Sequence, residues 1–158
     1  GGGDFSSNRI LPDIIKSLIN KKTLKIRNPK STRPWQHVLE PLRGYMDLSI
    51  NLYHHLENSG ESFNFGPNKK ENFTVIDVVN FIKKIIPTLK IRIDKNRSLF
   101  KESKLLKLNC NKAKNSLGWY PYLNTKQSID LTMDWYLAYI SKNNINELTL
   151  RQIIRYFE

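Results

Sequence analysis

Thr32-Arg33-Pro34-Trp35-Gln36-His37-Val38-Leu39-Glu40-Pro41-Leu42 is the stretch around which the rest of the chain organises. A polar loop, Lys30-Ser31-Thr32, delivers an arginine and an aromatic just before a strand-like turn and a long helix. Arg33 suits a diphosphate, because a planar guanidinium donates two parallel charge-assisted hydrogen bonds and an ammonium cannot. The competing assignment is an ion pair with a nearby carboxylate such as Glu40. Downstream, Leu42, Tyr45, Met46, Leu52, Tyr53 and Leu56 recur on one helical stripe, which predicts a helix over 42–56. Pro41 fits its first turn.

Five further helices are predicted outward from this stretch. Ile10, Ile14 and Leu18 lie four apart within 9–19. Thr74-Val75-Ile76-Asp77 opens a helix with a capping-box pattern, carries Val78, Val79, Ile82 and Ile86 on one face, and is stopped by Pro87. Residues 111–117 form a short helix with Gly118 as a left-handed cap. Residues 125–141 bury Ile129, Met133, Tyr136, Leu137 and Ile140. Thr149-Leu150-Arg151-Gln152 reads as a last capping box, followed by Ile153, Ile154 and Phe157 on an apolar face with Leu150. Alternating runs at 24–26, 63–65, 89–93 and 106–108 predict short strands. Strands interleaved with helices give an α/β fold in one domain spanning 1–158. Four short strands are few beneath six helices, so part of a sheet is expected to be missing. Residues 94–103 read as a polar connection.

Bulk composition narrows the function classes. At 158 residues, with 39% hydrophobic and 25% charged residues, the chain is sized for one globular domain. A lone cysteine, Cys110, excludes an internal disulfide and argues against a zinc cluster. His54 and His55 sit mid-helix without a second ligand pair at metal spacing. No secretory signal pattern stands at the start and no apolar run approaches the roughly 20 residues of a membrane span. A cytoplasmic protein without a membrane partner is the expectation. The first residue is Gly1 rather than Met, so the start of the gene product is expected upstream. The net charge of +12 invites a phosphate-bearing partner. Its basic residues are spread along the chain rather than gathered on one helix, so a solvated basic surface is favoured over a nucleic-acid-binding module.

The order of motifs goes further. Gly1-Gly2-Gly3-Asp4 and Asn8-Arg9-Ile10-Leu11-Pro12-Asp13 come first, then Arg27-Asn28-Pro29 and the 32–42 stretch. Phe63-Asn64-Phe65-Gly66-Pro67, Glu102, Leu106-Lys107-Leu108-Asn109-Cys110, Lys112-Ala113, Leu117-Gly118-Trp119 and Pro121 follow. This series resembles the CDP-glucose 4,6-dehydratases, nucleotide-sugar enzymes of the extended short-chain dehydrogenase/reductase family, across nearly the whole chain. Arg33 to Leu42 is its most specific part, whereas the 63–67 and 112–121 elements are shared with many extended short-chain dehydrogenases. The resemblance implies a lyase of deoxysugar biosynthesis, using tightly held NAD to convert CDP-glucose to CDP-4-keto-6-deoxyglucose and water.

The family's glycine-rich dinucleotide turn and Tyr-x-x-x-Lys pair lie before the segment that matches Gly1-Gly2-Gly3-Asp4. Tyr122 and Lys126 share that spacing but fall in a loop entering a late helix, where chance accounts for them. The resemblance therefore implies the C-terminal substrate-binding lobe, truncated at its N-terminus and lacking most of the Rossmann half, with residues 63–65 as one strand of the missing sheet. Such a chain holds no catalytic residue, binds no NAD alone, and acts with an N-terminal NAD-binding half in a family that forms homo-oligomers. Another nucleotide-sugar epimerase or dehydratase is the nearest alternative.

The same resemblance carries substrate-binding roles onto particular residues. Arg33 matches the arginine that grips the diphosphate. Asn8, Arg9 and Ile10 form a turn beside the nucleotide, although Asn8 could equally cap the helix that follows. Lys25, Ile26 and Arg27 line the base pocket, with Ile26 as plain core the alternative. Asn64 is a polar residue in an apolar run, for which a structural hydrogen bond to a neighbouring loop is the alternative. Glu102 matches a substrate-side glutamate, but Lys101 and Ser103 flank it where the family has His and Ala. Arg97 is the nearest candidate for a second diphosphate-binding arginine. Trp35, Trp119 and Trp135 read as core or pocket-wall aromatics.

Overall fold

A computed structural model describes residues 1–94 and 105–158. The described residues form an α/β fold with six α-helices and a two-stranded sheet. Helix α1 spans Ile10–Ile19 and leads to strand β1, Leu24–Ile26. After the Arg33 loop comes α2, Leu39–His54, then α3, Val75–Ile85, and strand β2, Ile91–Ile93. Helices α4 (Asn111–Leu117), α5 (Thr125–Ile140) and α6 (Ile145–Phe157) complete the order. The strands pair in parallel, Leu24 opposite Ile91 and Ile26 opposite Ile93. Such pairing requires a crossover, which α2 and α3 supply.

The main core lies where α1, β1, α3 and α5 meet. Ile14, Ile15, Leu24, Ile26, Val78, Val79, Ile82, Ile129, Met133 and Tyr136 are all buried there. A smaller cluster of Phe65, Ala113 and Trp119 joins α2 to α4. Phe65 reaches it because Gly44, in the middle of α2, has no side chain; a Cβ there would collide with the Phe65 ring. The predicted caps of α3 and α4 are present. The Thr74 hydroxyl accepts from Asp77 N while the Asp77 carboxylate accepts from Thr74 N, and Gly118 ends α4 at φ 63°. Trp119 is core, Trp35 is half-buried with its Nε1 donating to Phe73 O, and Trp135 stacks on Tyr139, all as expected.

Several local expectations are corrected. Residues 63–65 and 106–108 are not strands. The Phe65 carbonyl accepts from the Gln36 side chain, and the bridge of Leu105 to Thr32 lies just before the second run. The 89–93 strand shortens to 91–93, because Leu89 N turns back to Ile86 O. Helix α6 begins four residues before Thr149. Asn144 caps it, and Thr149 sits within it, donating to Ile145 O and accepting from Trp135 Nε1. Its buried residues are Gln152 and Tyr156, while Leu150, Ile153, Ile154 and Phe157 face outward. The stripe on α2 is likewise outward: Leu42, Tyr45, Met46, Tyr53 and Leu56 are exposed, whereas Leu39, Glu40, Arg43 and Gly44 are buried. Ile140, expected inside, is also exposed. Periodicity identifies a helix and its apolar face; it does not say what that face meets.

Candidate functional site

Beneath the loop that carries Arg33 is a cavity of about 390 Å³, within the range of small-molecule sites. Three short segments build it. The first is Asn8, Arg9 and Ile10. Asn8 does not cap α1: it adopts a left-handed conformation at φ 67°, which asparagine tolerates better than most residues. The cap position falls to Arg9, which makes no side-chain capping bond. The turn is braced by Asp4, whose carboxylate accepts from Ser6 N at 2.8 Å and from Arg9 Nη1 at 2.9 Å. Those bonds, Ser6 first and Arg9 second, hold the Asp4 carboxyl pKa down at about 2. The Asp4 carbonyl in turn accepts from the Tyr136 hydroxyl of α5 at 2.5 Å.

The second segment is β1 and the residue after it. Lys25 and Arg27 are exposed at the rim while Ile26, only 1% exposed, belongs both to the core and to the cavity wall. Alternation along a strand makes that division possible. The third segment is the loop with Arg33 and Trp35. Its backbone is pinned over the start of α3, where Val75 N donates to Ser31 O and Ile76 N to Pro29 O, both at 2.9 Å. Thr32 bridges to Thr74 on one side and Leu105 on the other. Half-buried Arg33 donates from Nη1 to Thr32 O at 2.7 Å. Glu40 is engaged elsewhere. It is fully buried, accepts from Tyr122 N and Leu123 N, and lies 3.9 Å from Arg43.

Asn8, Arg9, Ile10, Lys25, Ile26, Arg27 and Arg33 thus share one cavity. Asn64 does not join them; its amide donates to Asn109 O, the structural bond weighed against a ligand role. Arg97 and Glu102 lie outside the described residues. Four basic side chains (Arg9, Lys25, Arg27, Arg33) and two acidic ones (Asp4, Asp13) line the cavity among the described residues, leaving two positive charges in excess. That excess suits a dianion such as a diphosphate. Sequence reasoning gave no site role to Asp4, Asp13, Asn28 or Tyr136. Asp4 stood in a quoted motif and was legible; Tyr136 was read only as core, which it also is.

The Tyr122 ring lies over the Arg43 guanidinium, 3.8 Å from its carbon, while Lys126 projects from the exposed side of α5. Arg43 also donates to the Tyr156 hydroxyl, to Asp47 and to Tyr120 O, so buried Arg43 and Tyr156 form a joint between α2, α6 and the 119–123 loop. Burial raises the Tyr156 phenol well above its ordinary range. No cluster of three or more potential metal ligands occurs among the described residues. No described helix is long and apolar enough to cross a membrane.

No family model matches the chain. Among solved structures, an epimerase from Methanothermobacter thermautotrophicus matches 87% of it with a TM-score of 0.72 at 20% identity, using 40% of that protein. The dTDP-glucose 4,6-dehydratase of Bacillus anthracis matches 86% with a TM-score of 0.62 at 21% identity, using 41% of that chain. The fold is therefore that of extended short-chain dehydrogenase/reductase enzymes over about two-fifths of their length. Closer in sequence, the CDP-glucose 4,6-dehydratase of Salmonella typhimurium is 35% identical over 156 residues, 99% of this chain and 44% of that enzyme. This chain is a homologue of CDP-glucose 4,6-dehydratase and spans less than half of that relative's length.

Proposed function

We propose that this chain is the nucleotide-sugar-binding lobe of a CDP-glucose 4,6-dehydratase, a single folding unit over 1–158 that corresponds to the C-terminal part of such an enzyme. The observation that carries the reading is the convergence of three separate segments, 8–10, 25–27 and 33–35, on one cavity with excess positive charge. Arg33 grips the diphosphate, with Arg27 and Lys25 at the rim beside it. Ile26 and Trp35 supply apolar walls against which a base or sugar ring packs. Asp4 holds Arg9 and, through Tyr136, fixes the turn against α5.

NAD does not fit the described residues. Dinucleotide binding in this fold class uses a glycine-rich turn from a strand directly into a helix. Here β1 runs into residues 27–38, which contain no glycine. The cofactor and the catalytic pair belong to an NAD-binding half, and this lobe contributes binding and orientation to the net loss of water from CDP-glucose.

The test is calorimetric titration of the purified chain with CDP-glucose, UDP-glucose and dTDP-glucose, repeated on Arg33→Ala and Arg33→Lys. Selective binding of CDP-glucose is expected, weakened roughly 10- to 100-fold by Arg33→Ala, the usual worth of a hydrogen bond to a charged group. Arg33→Lys recovers only part of it, since an ammonium cannot form the bidentate contact. Equal binding by wild type and Arg33→Ala would overturn the assignment of Arg33. Absence of binding by folded chain would overturn the idea of a self-sufficient cavity.

A further inference from the structure

The cavity contains one carboxylate with no partner. Asp13 stands in the first turn of α1, half-buried, on the wall that also carries Ile10 and Pro12. Asp4, the other acid of the cavity, is engaged by Ser6 and Arg9. Among the described residues, no hydrogen bond or ion pair reaches the Asp13 carboxylate. Its place in the cavity is also distinct. Asn8, Asp13, Lys25 and Arg27 border a second groove of about 370 Å³ that continues from the cavity between α1 and β1, whereas Arg33 and Trp35 border the cavity alone. The cavity therefore has two ends, Arg33 at one and Asp13 at the other, with buried Ile26 among its walls.

We propose that Asp13 is the residue that selects cytosine over uracil and thymine, its carboxylate accepting from the exocyclic amino group of the base. This inference rests on the function proposed above and assigns base selectivity to one side chain. A diphosphate is common to all three sugar nucleotides, so Arg33 cannot tell them apart. Cytosine carries an amino donor at position 4 of the ring, where uracil and thymine carry a carbonyl acceptor. Ammonium and guanidinium groups only donate, so Arg9, Lys25 and Arg27 by themselves favour the bases with the extra carbonyl. An ionised carboxylate only accepts. It bonds the cytosine amino group and sets its own lone pairs against the carbonyl of the other two bases. Among the described residues of the cavity, Asp13 is the one carboxylate left available for that contact. Its position in the first turn of α1 also suits the helix dipole, a role that stabilises the fold whichever base is bound.

The experiment titrates wild type, Asp13→Asn and Arg33→Ala with CDP-glucose and with UDP-glucose by calorimetry, with circular dichroism on each protein. Asparagine keeps the shape of Asp13 but donates as well as accepts. Asp13→Asn is expected to weaken CDP-glucose roughly 10-fold or more while UDP-glucose holds or tightens, so the preference between them falls by at least about tenfold. Arg33→Ala weakens both ligands alike and leaves the preference as in wild type. Asp13→Ser, which removes the carboxylate without adding bulk, gives the same reading should the asparagine variant fold poorly. A preference unchanged in a folded Asp13 variant, with only its denaturation midpoint lowered, would reduce Asp13 to a dipole role and overturn the inference. Equal weakening of both ligands would assign Asp13 to ribose or glucose hydroxyls and overturn it as well. Wild type that binds the two ligands equally would overturn base selection and leave a nucleotide-sugar cavity in place. Binding of neither ligand by folded wild type would overturn the proposed function and this inference together.

Discussion

Glu40 is the clearest case of a residue whose surroundings decide its meaning. As sequence it is a carboxylate near Arg33; in the structure it is completely buried and ties the 119–123 loop to α2. Removing it leaves the Tyr122 and Leu123 N–H groups without their acceptor and takes one of two carboxylates from beside the Arg43 cation. Glu40→Ala is therefore expected to cost about 3 kcal/mol or more, and Glu40→Gln less, read from urea midpoints. His37 is a second case. It is 3% exposed, and burial holds its imidazole down to about 4 from an ordinary value of 6.5. The native pKa lies below the unfolded one, so the unfolded chain binds the extra proton first. Stability is full above about pH 6.5 and falls as pH drops toward about 4, by up to about 3 kcal/mol from this group. Chemical denaturation of wild type and His37→Gln across that window checks it: the variant loses the His37 share of the slope. Neither burial was legible, because a sequence gives a side chain's chemistry and not its depth.

The elements were read well where the signal was local and poorly where it was not. Thr74-Val75-Ile76-Asp77 and Gly118 declared their caps because capping bonds join residues within about two turns of one another. Thr74→Ala is expected to cost about 1 kcal/mol, visible in thermal melts, since it removes an acceptor from the first turn of α3. The box at Thr149 failed because the same residue pattern occurs mid-helix. There the Thr149 hydroxyl serves Trp135 and Ile145, while Asn144 takes the cap. Gly44 shows the opposing pull of packing on propensity. In an open helix Gly44→Ala would stabilise by about 1 kcal/mol. Here the added methyl meets the Phe65 ring, so a net loss of about 1–3 kcal/mol is expected by denaturant titration, the usual cost of overpacking. The short strands were over-read, because alternation at 63–65 and 106–108 is necessary for a strand but pairing is what makes one.

For the whole molecule, the net charge of +12 was weighed between a phosphate-rich macromolecule and a solvated surface. The cavity gathers four of the basic side chains and balances two of them with carboxylates. Binding of CDP-glucose is accordingly expected to weaken by about tenfold or less between about 50 and about 200 mM salt. A surface contacting many phosphates would lose roughly a thousandfold or more over the same range. Titrations at the two salt concentrations decide between them.

By itself the sequence determined the α/β class, five of the helices to within a few residues, the caps of α3 and α4, and the kinship carried by Arg33 to Leu42. It also named the three segments that meet at the cavity, through the resemblance and not through spacing, since 8–10, 25–27 and 33 are far apart as the chain runs. Tertiary structure alone decided that those segments meet, that Asn64 turns to Asn109 instead, and that the apolar stripes of α2 and α6 face outward. The reason is physical: capping and periodicity are contacts within one or two turns, while burial and convergence depend on which distant elements pack together.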